Sequence, residues 1–215
     1  PRSTLFPYTT LFRSRYVAFV SAANNLVPND TNNIADVFVR DLQTGVTTLV
    51  SDGAKARQVS PRPSSASELP VITPDGRYVA FHSTATNLVP AATNAGDIFI
   101  RDLVSGTTTW ASEGARAAAQ AAQLGTSIVS YNHALSDDGQ FVAFAVSPWP
   151  PSTTANRGLV LRYSQSSGLA EVVHTNATVH AGAPEDMRSL NMRADGRFIA
   201  FVANTNEASG RNTCV

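Results

Sequence analysis

An all-β fold, a β-propeller fragment of four-stranded antiparallel blades, is what this sequence predicts, and three returning landmarks predict it. Asp75-Gly76-Arg77-Tyr78-Val79-Ala80-Phe81 comes back as Asp138-Gly139-Gln140-Phe141-Val142-Ala143-Phe144 and as Asp195-Gly196-Arg197-Phe198-Ile199-Ala200-Phe201. A shortened first copy reads Arg15-Tyr16-Val17-Ala18-Phe19, and from the Arg/Gln position the copies stand 62, 63 and 57 residues apart. Arg40-Asp41-Leu42, Arg101-Asp102-Leu103 and a degraded Arg162-Tyr163-Ser164 keep the same beat, as do the turns Thr44-Gly45, Ser105-Gly106 and Ser167-Gly168. Self-similarity at a fixed period marks a repeat architecture.

The elements follow in order. Tyr16-Val17-Ala18-Phe19-Val20 is apolar on both faces and reads as a strand buried on both sides. After a polar stretch from Asn24 to Asn33, Asp36 to Arg40 forms the next strand, Thr44-Gly45 a tight turn, and Val46 to Val50 a β-branched third strand. The second repeat adds a strand at 69–73, joined to the next by Pro74-Asp75-Gly76, with Pro and Gly where a tight turn wants them. A full repeat thus has strands A to D, at 69–73, 77–83, 97–103 and 107–112, then at 130–135, 140–146, 158–163 and 169–174. A fourth repeat supplies A near 187–192 and B at 197–203. Ala18, Ala80, Ala143 and Ala200 at the middle of each B strand suggest sheets packed closely face to face, and radial stacking of such sheets is a propeller. The Ala-rich 115–122 is either a short helix or a connector.

Composition bounds the function. Pro1 to Ser14 resembles the in-frame translation of a sequencing adapter and abuts the repeat where Asp-Gly should stand, so it is expected to be non-native and is set aside. The remaining 15–215 is then a propeller fragment truncated at both ends, two full blades flanked by two partial ones. As an open arc it is expected to aggregate or to melt low and broadly. Without Arg2 and Arg13 the chain carries 14 basic and 16 acidic residues. No basic stripe for phosphates is present, which argues against a nucleic-acid partner. No apolar run long enough to cross a membrane occurs in this segment. Cys214 stands alone, so it closes no internal disulfide.

At Thr73-Pro74-Asp75-Gly76-Arg77-Tyr78-Val79-Ala80-Phe81, followed by Asp97-Ile98-Phe99-Ile100-Arg101-Asp102-Leu103 and Ser105-Gly106-Thr107, the chain resembles the repeat of TolB-type propellers. The likeness covers nearly all of 15–215 and weakens in the third repeat, where Asp137 replaces Pro and Arg162-Tyr163-Ser164 replaces Arg-Asp-Leu. It implies a non-catalytic binding scaffold of the bacterial envelope or exterior, periplasmic or extracellular. A protein, small-molecule or glycan ligand is left open. The alternative is the propeller domain of a larger enzyme, a prolyl-oligopeptidase-like peptidase or a propeller lyase or hydrolase. No Gly-x-Ser-x-Gly elbow lies within 15–215, so no catalytic residue is assigned.

In such blades the A–B and C–D turns are tight and share one side. The long connections, 22–35, 52–68, 84–96, 113–129, 147–157 and 175–186, share the other, where binding is expected. One of them spaces oxygens at Asp30, Asn32 and Asp36, as a hard cation such as Ca²⁺ accepts. No Glu closes the loop, and the matching Ala92-Thr93-Asn94-Ala95-Gly96-Asp97 lacks the first carboxylate. Ordinary turn chemistry is the expectation there, with Ca²⁺ the lesser alternative and no cofactor assigned. Trp149, on a Pro-rich loop of the same side, is the ligand-face candidate, loop packing being its other reading. His82, His133, His174 and His180 show no ligand spacing and read as isolated side chains. Asp137-Asp138 reads as solvated turn acids, and Arg40-Asp41 and Arg101-Asp102 as links between neighbouring blades.

Overall fold

The computed structural model describes residues 15–56, 65–92, 96–149, 156–179, 190–204 and 212–214. Among the described residues the fold is all-β apart from one short helix, with antiparallel sheets in chain order. The first sheet holds β1 (Tyr16–Ser21), β2 (Asp36–Asp41) and β3 (Thr47–Leu49); the second holds β4 (Ser67–Ile72), β5 (Tyr78–Ser83), β6 (Asp97–Asp102) and β7 (Thr107–Trp110). The third contains β8 (Ile128–Leu135), β9 (Phe141–Pro148), β10 (Asn156–Ser164) and β11 (Leu169–Val179), in that spatial order. Strands A to D of the repeat are therefore four neighbours of one meander.

The fourth repeat departs from expectation. Its B strand is not continuous: β12 (Asn191–Met192) pairs with β13 (Ile199–Ala200), while β14 (Val202–Asn204) joins the edge of β11 and pairs with β15 (Asn212–Cys214). The third sheet thereby has six strands, in the order β15-β14-β11-β10-β9-β8. The break falls at Phe201, which is buried against Ala145 and Val160 of the third sheet.

Successive sheets pack face to face, and the alternation of strand B explains why. In β5, Val79 and Phe81 face the first sheet with Val37, Val39 and Phe99, whereas Ala80 faces the third with Val142 and Phe144. In β9 the same parity holds, with Val142, Phe144 and Val146 pointing back and Ala143 pointing on toward Met192. Each interface thus sets a small residue of one sheet against large ones of the next, which lets two pleated faces approach closely. Aromatic pairs cross the B and C strands at equivalent register: Phe19 with Phe38, centroids 5.6 Å apart, and Phe81 with Phe99 at 5.8 Å. In the third sheet the pair becomes Phe144 and Leu161.

β1 is not buried on both sides as its apolar sequence suggests. Val17 is 41% exposed, because among the described residues only the second sheet packs upon this strand, and Val20, near the strand's end on the face of Tyr16 and Ala18, is equally exposed. The Ala-rich segment is a helix, α1 (Ala115–Ala121), whose Ala115 and Ala119, one turn apart, are buried against the core between sheets two and three. Both A strands of the full sheets carry a bulge at matching positions. Leu69 (φ 56) sits between the pairs Glu68–His82 and Val71–Ala80, and Asn132 (φ 45) between Tyr131–Ala145 and Ala134–Ala143. Asn tolerates this region better than Leu does. The Leu69 side chain gains little by it, being 56% exposed.

Candidate functional site

The two ends of the sheets differ in kind. At the end with the A–B turns, the chain builds a ladder from sheet to sheet. Thr73 Oγ1 donates to Asp75 Oδ1 (2.5 Å) and accepts the N–H of Tyr78, while Asp75 Oδ1 accepts the N–H of Arg77. Ser136, Asp138, Phe141 and Gln140 repeat the arrangement. Asp75 is held below its ordinary pKa, first by the Thr73 hydroxyl and then by the Arg77 backbone. Asp137 and Asp138 are exposed turn residues. The Asp137 N–H donates to Ala194 O of the next repeat at 2.9 Å.

The turn glycine between them receives an aromatic ring from the preceding sheet. A β-carbon on Gly76 would lie 2.3 Å from Tyr16 Cδ2, on Gly139 2.2 Å from Tyr78 Cδ2, and on Gly196 2.3 Å from Phe141 Cδ2. Tyr16 and Tyr78 each carry a guanidinium over the ring, Arg15 at 4.9 Å and Arg77 at 4.7 Å. Those arginines also pair with Asp41 and Asp102, Nη2 to Oδ2 at 2.6 and 2.9 Å. The Arg15 hydrogen bond pushes Asp41 well below the carboxylate range, and Arg77 holds Asp102 at about 2.

The aspartates of the Arg-Asp-Leu motif are therefore bound within their own sheet, not between sheets. Arg40 bonds Thr47 and Arg101 bonds Thr108, also within one sheet; only Arg101 Nη2 reaches a neighbour, Asp52 Oδ2, at 3.5 Å. In the third repeat Gln140 replaces the stacking arginine, and Arg162 takes over. It lies 4.7 Å over the Phe141 ring, donates to Gly196 O at 2.8 Å, and is paired with Glu171. The decay of the motif at Arg162-Tyr163-Ser164 is thus a paired loss: Tyr163 stands in place of Asp41 and Asp102 where Gln140 stands in place of their partners Arg15 and Arg77. The signal lies in Gln140 and Tyr163 taken together, because the arginine and aspartate they replace are partners in the other two repeats.

The opposite end holds the candidate site. The connection after β3 bridges the B–C connection of the second sheet, with Lys55 and Thr86 exchanging backbone hydrogen bonds at 2.9 and 3.0 Å. Asn32 Nδ2 donates to Ala54 O at 3.1 Å. Between these segments lies a cleft of about 570 Å³, lined among others by Asn29, Thr31, Asn32, Asp52, Lys55 and Thr86. Such a volume suits a small ligand. A second, smaller recess of about 380 Å³ lies at the turn end, beside Tyr16, Asp41, Gly76 and Leu103.

Asp30, Asn32 and Asp36 come together beneath the cleft. Asp36 is fully buried and accepts the Ser51 hydroxyl at 2.5 Å, while Ser51 Oγ accepts the N–H of Val37. Burial pushes Asp36 above its ordinary pKa; the Ser51 and Asn32 side chains pull it down, and the charge of Asp30 pushes it up again. Trp149 lies elsewhere, just after β9, 55% exposed, with its backbone N–H donating to Ser127 O at 2.9 Å. Its ring is a surface feature that does not line the cleft. The residues that follow it, 150–155, lie outside the described residues.

The histidines are not all isolated. His82 and His133, from the second and third sheets, are electrostatic neighbours, and Glu68 Oε1 stands 3.3 Å from His82 Nδ1, off the line of a hydrogen bond. Burial lowers His82 despite Glu68 and Asp97. Burial first, and the charge of His82, lower His133 to about 4. Spacing in sequence could not show this pair, because the bulge at Asn132 is what carries His133 to the interface. His174 Nε2 is buried without a hydrogen bond and its ring lies 5.2 Å from Phe201, while His180 falls outside the described residues. No group of three or more His, Cys, Asp or Glu suited to a metal exists among the described residues. No helix among them is long and apolar enough to cross a membrane.

No family model matches the chain, and no curated protein matches it. Among solved structures, it is similar to the acylaminoacyl peptidase of Pyrococcus horikoshii, at 13% identity and a TM-score of 0.44, over 94% of this chain and 31% of that one. Prolyl oligopeptidase B of Galerina marginata gives 14% identity and a TM-score of 0.43, over 94% and 29%. The tricorn protease gives 11% and 0.30, over 84% and 24%. The chain spans less than a third of the length of each, and likenesses of this size assign nothing to it.

Proposed function

We propose that the stacked sheets are an arc of a TolB-type β-propeller acting as a non-catalytic binding scaffold of the cell envelope or exterior, and that it binds through the end carrying the long connections. The observation that supports this reading is the cleft between the connections of sheets one and two. Its walls offer amide, hydroxyl, carboxylate and ammonium groups from Asn29, Thr31, Asp52, Lys55 and Thr86, with no aromatic or bulky apolar floor beyond Leu49. That lining suits a small ligand rich in hydroxyl groups, a short oligosaccharide foremost, held by hydrogen bonds on a rigid frame.

Ligand-observed NMR against a panel of short oligosaccharides is the test. The paired substitution of Asp52 and Lys55 by Ala is expected to weaken any binder at least about tenfold, which is 1.4 kcal/mol, while leaving the melting temperature nearly unchanged. Binding that survives this change but is lost on Val46→Asp, at the turn end, would place the site on the wrong face.

A further inference from the structure

We propose that Asp30, Asn32 and Asp36 form a binding site for one hard divalent cation, Ca²⁺ by preference, set beneath the cleft. Both carboxylates are withdrawn from water: Asp30 is 5% exposed and Asp36 fully buried. One oxygen of each, Asp30 Oδ1 and Asp36 Oδ2, is buried with no hydrogen-bond partner. No ion pair to either occurs among the described residues. Two carboxylates lodged side by side with a hydroxyl and an amide but no cation beside them are a costly arrangement, and a buried carboxylate ordinarily acquires a partner or a cation.

The second sheet shows what compensation looks like in this fold. There Asp97 stands where Asp36 does and Ser112 where Ser51 does, and Trp110 Nε1 donates to Asp97 Oδ1 at 3.0 Å. In the first sheet the position of Trp110 is held by Leu49, which has no N–H to give. That same sheet adds a second carboxylate, Asp30, where the matching loop of the second begins with Ala92. The extra oxygen thus appears in the sheet that lacks the indole, an exchange that makes sense if a cation takes the place of the donor.

Asn32 completes the set. Its Nδ2 is given to Ala54 O and its Oδ1 accepts the N–H of Ile34 at 3.1 Å, leaving a lone pair on an oxygen already fixed in place. Two carboxylates and an amide oxygen are ligands of the hard class, and Asn32 also lines the neighbouring cleft. The site does not depend on what fills the cleft, so loss of ligand binding and loss of the cation are separable results.

The protein stripped with a chelator and dialysed against Ca²⁺ is expected to retain one ion per chain by elemental mass spectrometry, and to melt several degrees higher than the stripped protein. Asp30→Asn, which spares the Asp36–Ser51 link, is expected to abolish both effects. Asn32→Asp, which adds a charged ligand, is expected to lower the stability of the stripped protein and to increase the Ca²⁺-dependent gain. Absence of bound metal in the unaltered chain with either Ca²⁺ or Mg²⁺ overturns the proposal, leaving a proton shared between the two carboxyls as the compensation. A metal effect that persists in Asp30→Asn overturns it as well.

Discussion

Gly139→Ala is expected to lower stability by about 3 kcal/mol, combining the left-handed backbone penalty with overpacking. Gly139 has φ +71, a region that costs a residue with a β-carbon, and that carbon would meet Tyr78 at Cδ2, Cγ and Cβ, the last 3.0 Å away. Contact at the root of the ring means that Tyr78 cannot swing aside without leaving its own rotamer. Gly76→Ala meets the Tyr16 ring at Cδ2, Cε2 and Cγ. Gly168 is the control: its φ is +68, but nothing lies within 4 Å of an added β-carbon. Gly168→Ala should therefore cost only the backbone share, about 1 kcal/mol. Denaturant unfolding of the three variants separates the two contributions. Equal losses at Gly139 and Gly168 would show that the ring contact adds nothing.

Acid is expected to weaken the interface between sheets two and three. His133 titrates near 4 in the folded chain against an ordinary value near 6.5. The folded state therefore favours neutral imidazole. Its full contribution is present above about pH 6.5 and is lost as the pH falls toward 4, because the unfolded chain takes the proton first. Between about pH 7 and pH 5 the loss amounts to about 2 kcal/mol. His82, lowered by burial in the same interface, acts with the same sign. Thermal melts across this range should fall steeply for the unaltered protein and less steeply for His133→Gln. An unchanged slope would mean that His133 is hydrated in the folded state.

Much of this fold could be read from residue order. The period, the A to D strands of the two full repeats and the two kinds of connection all follow from local signals, Asp-Gly turns and β-branched runs, which act over a few residues. What was not legible depends on partners far apart in the chain. Nothing near Gly139 announces Tyr78, and nothing near His82 announces His133. The exposure of Val17 depends on how many sheets cover β1, not on the strand itself. Of the candidate site, the sequence offers only the spacing of Asp30, Asn32 and Asp36, which ordinary turn chemistry explains equally well. Their burial and unpaired oxygens emerge only once Ser51, fifteen residues on, closes over Asp36.

The sheets stack by seating a B-strand ring against the turn glycine of the next sheet. NMR tests it most directly, through contacts between the ring protons of Tyr78 and the α-protons of Gly139, and between Tyr16 and Gly76. Strong cross-peaks are expected for both pairs, with the glycine α-protons moved upfield by the ring currents and restored toward ordinary values in Tyr78→Leu and Tyr16→Leu. Glycine signals at ordinary positions with no cross-peak to either ring would contradict the stacking itself.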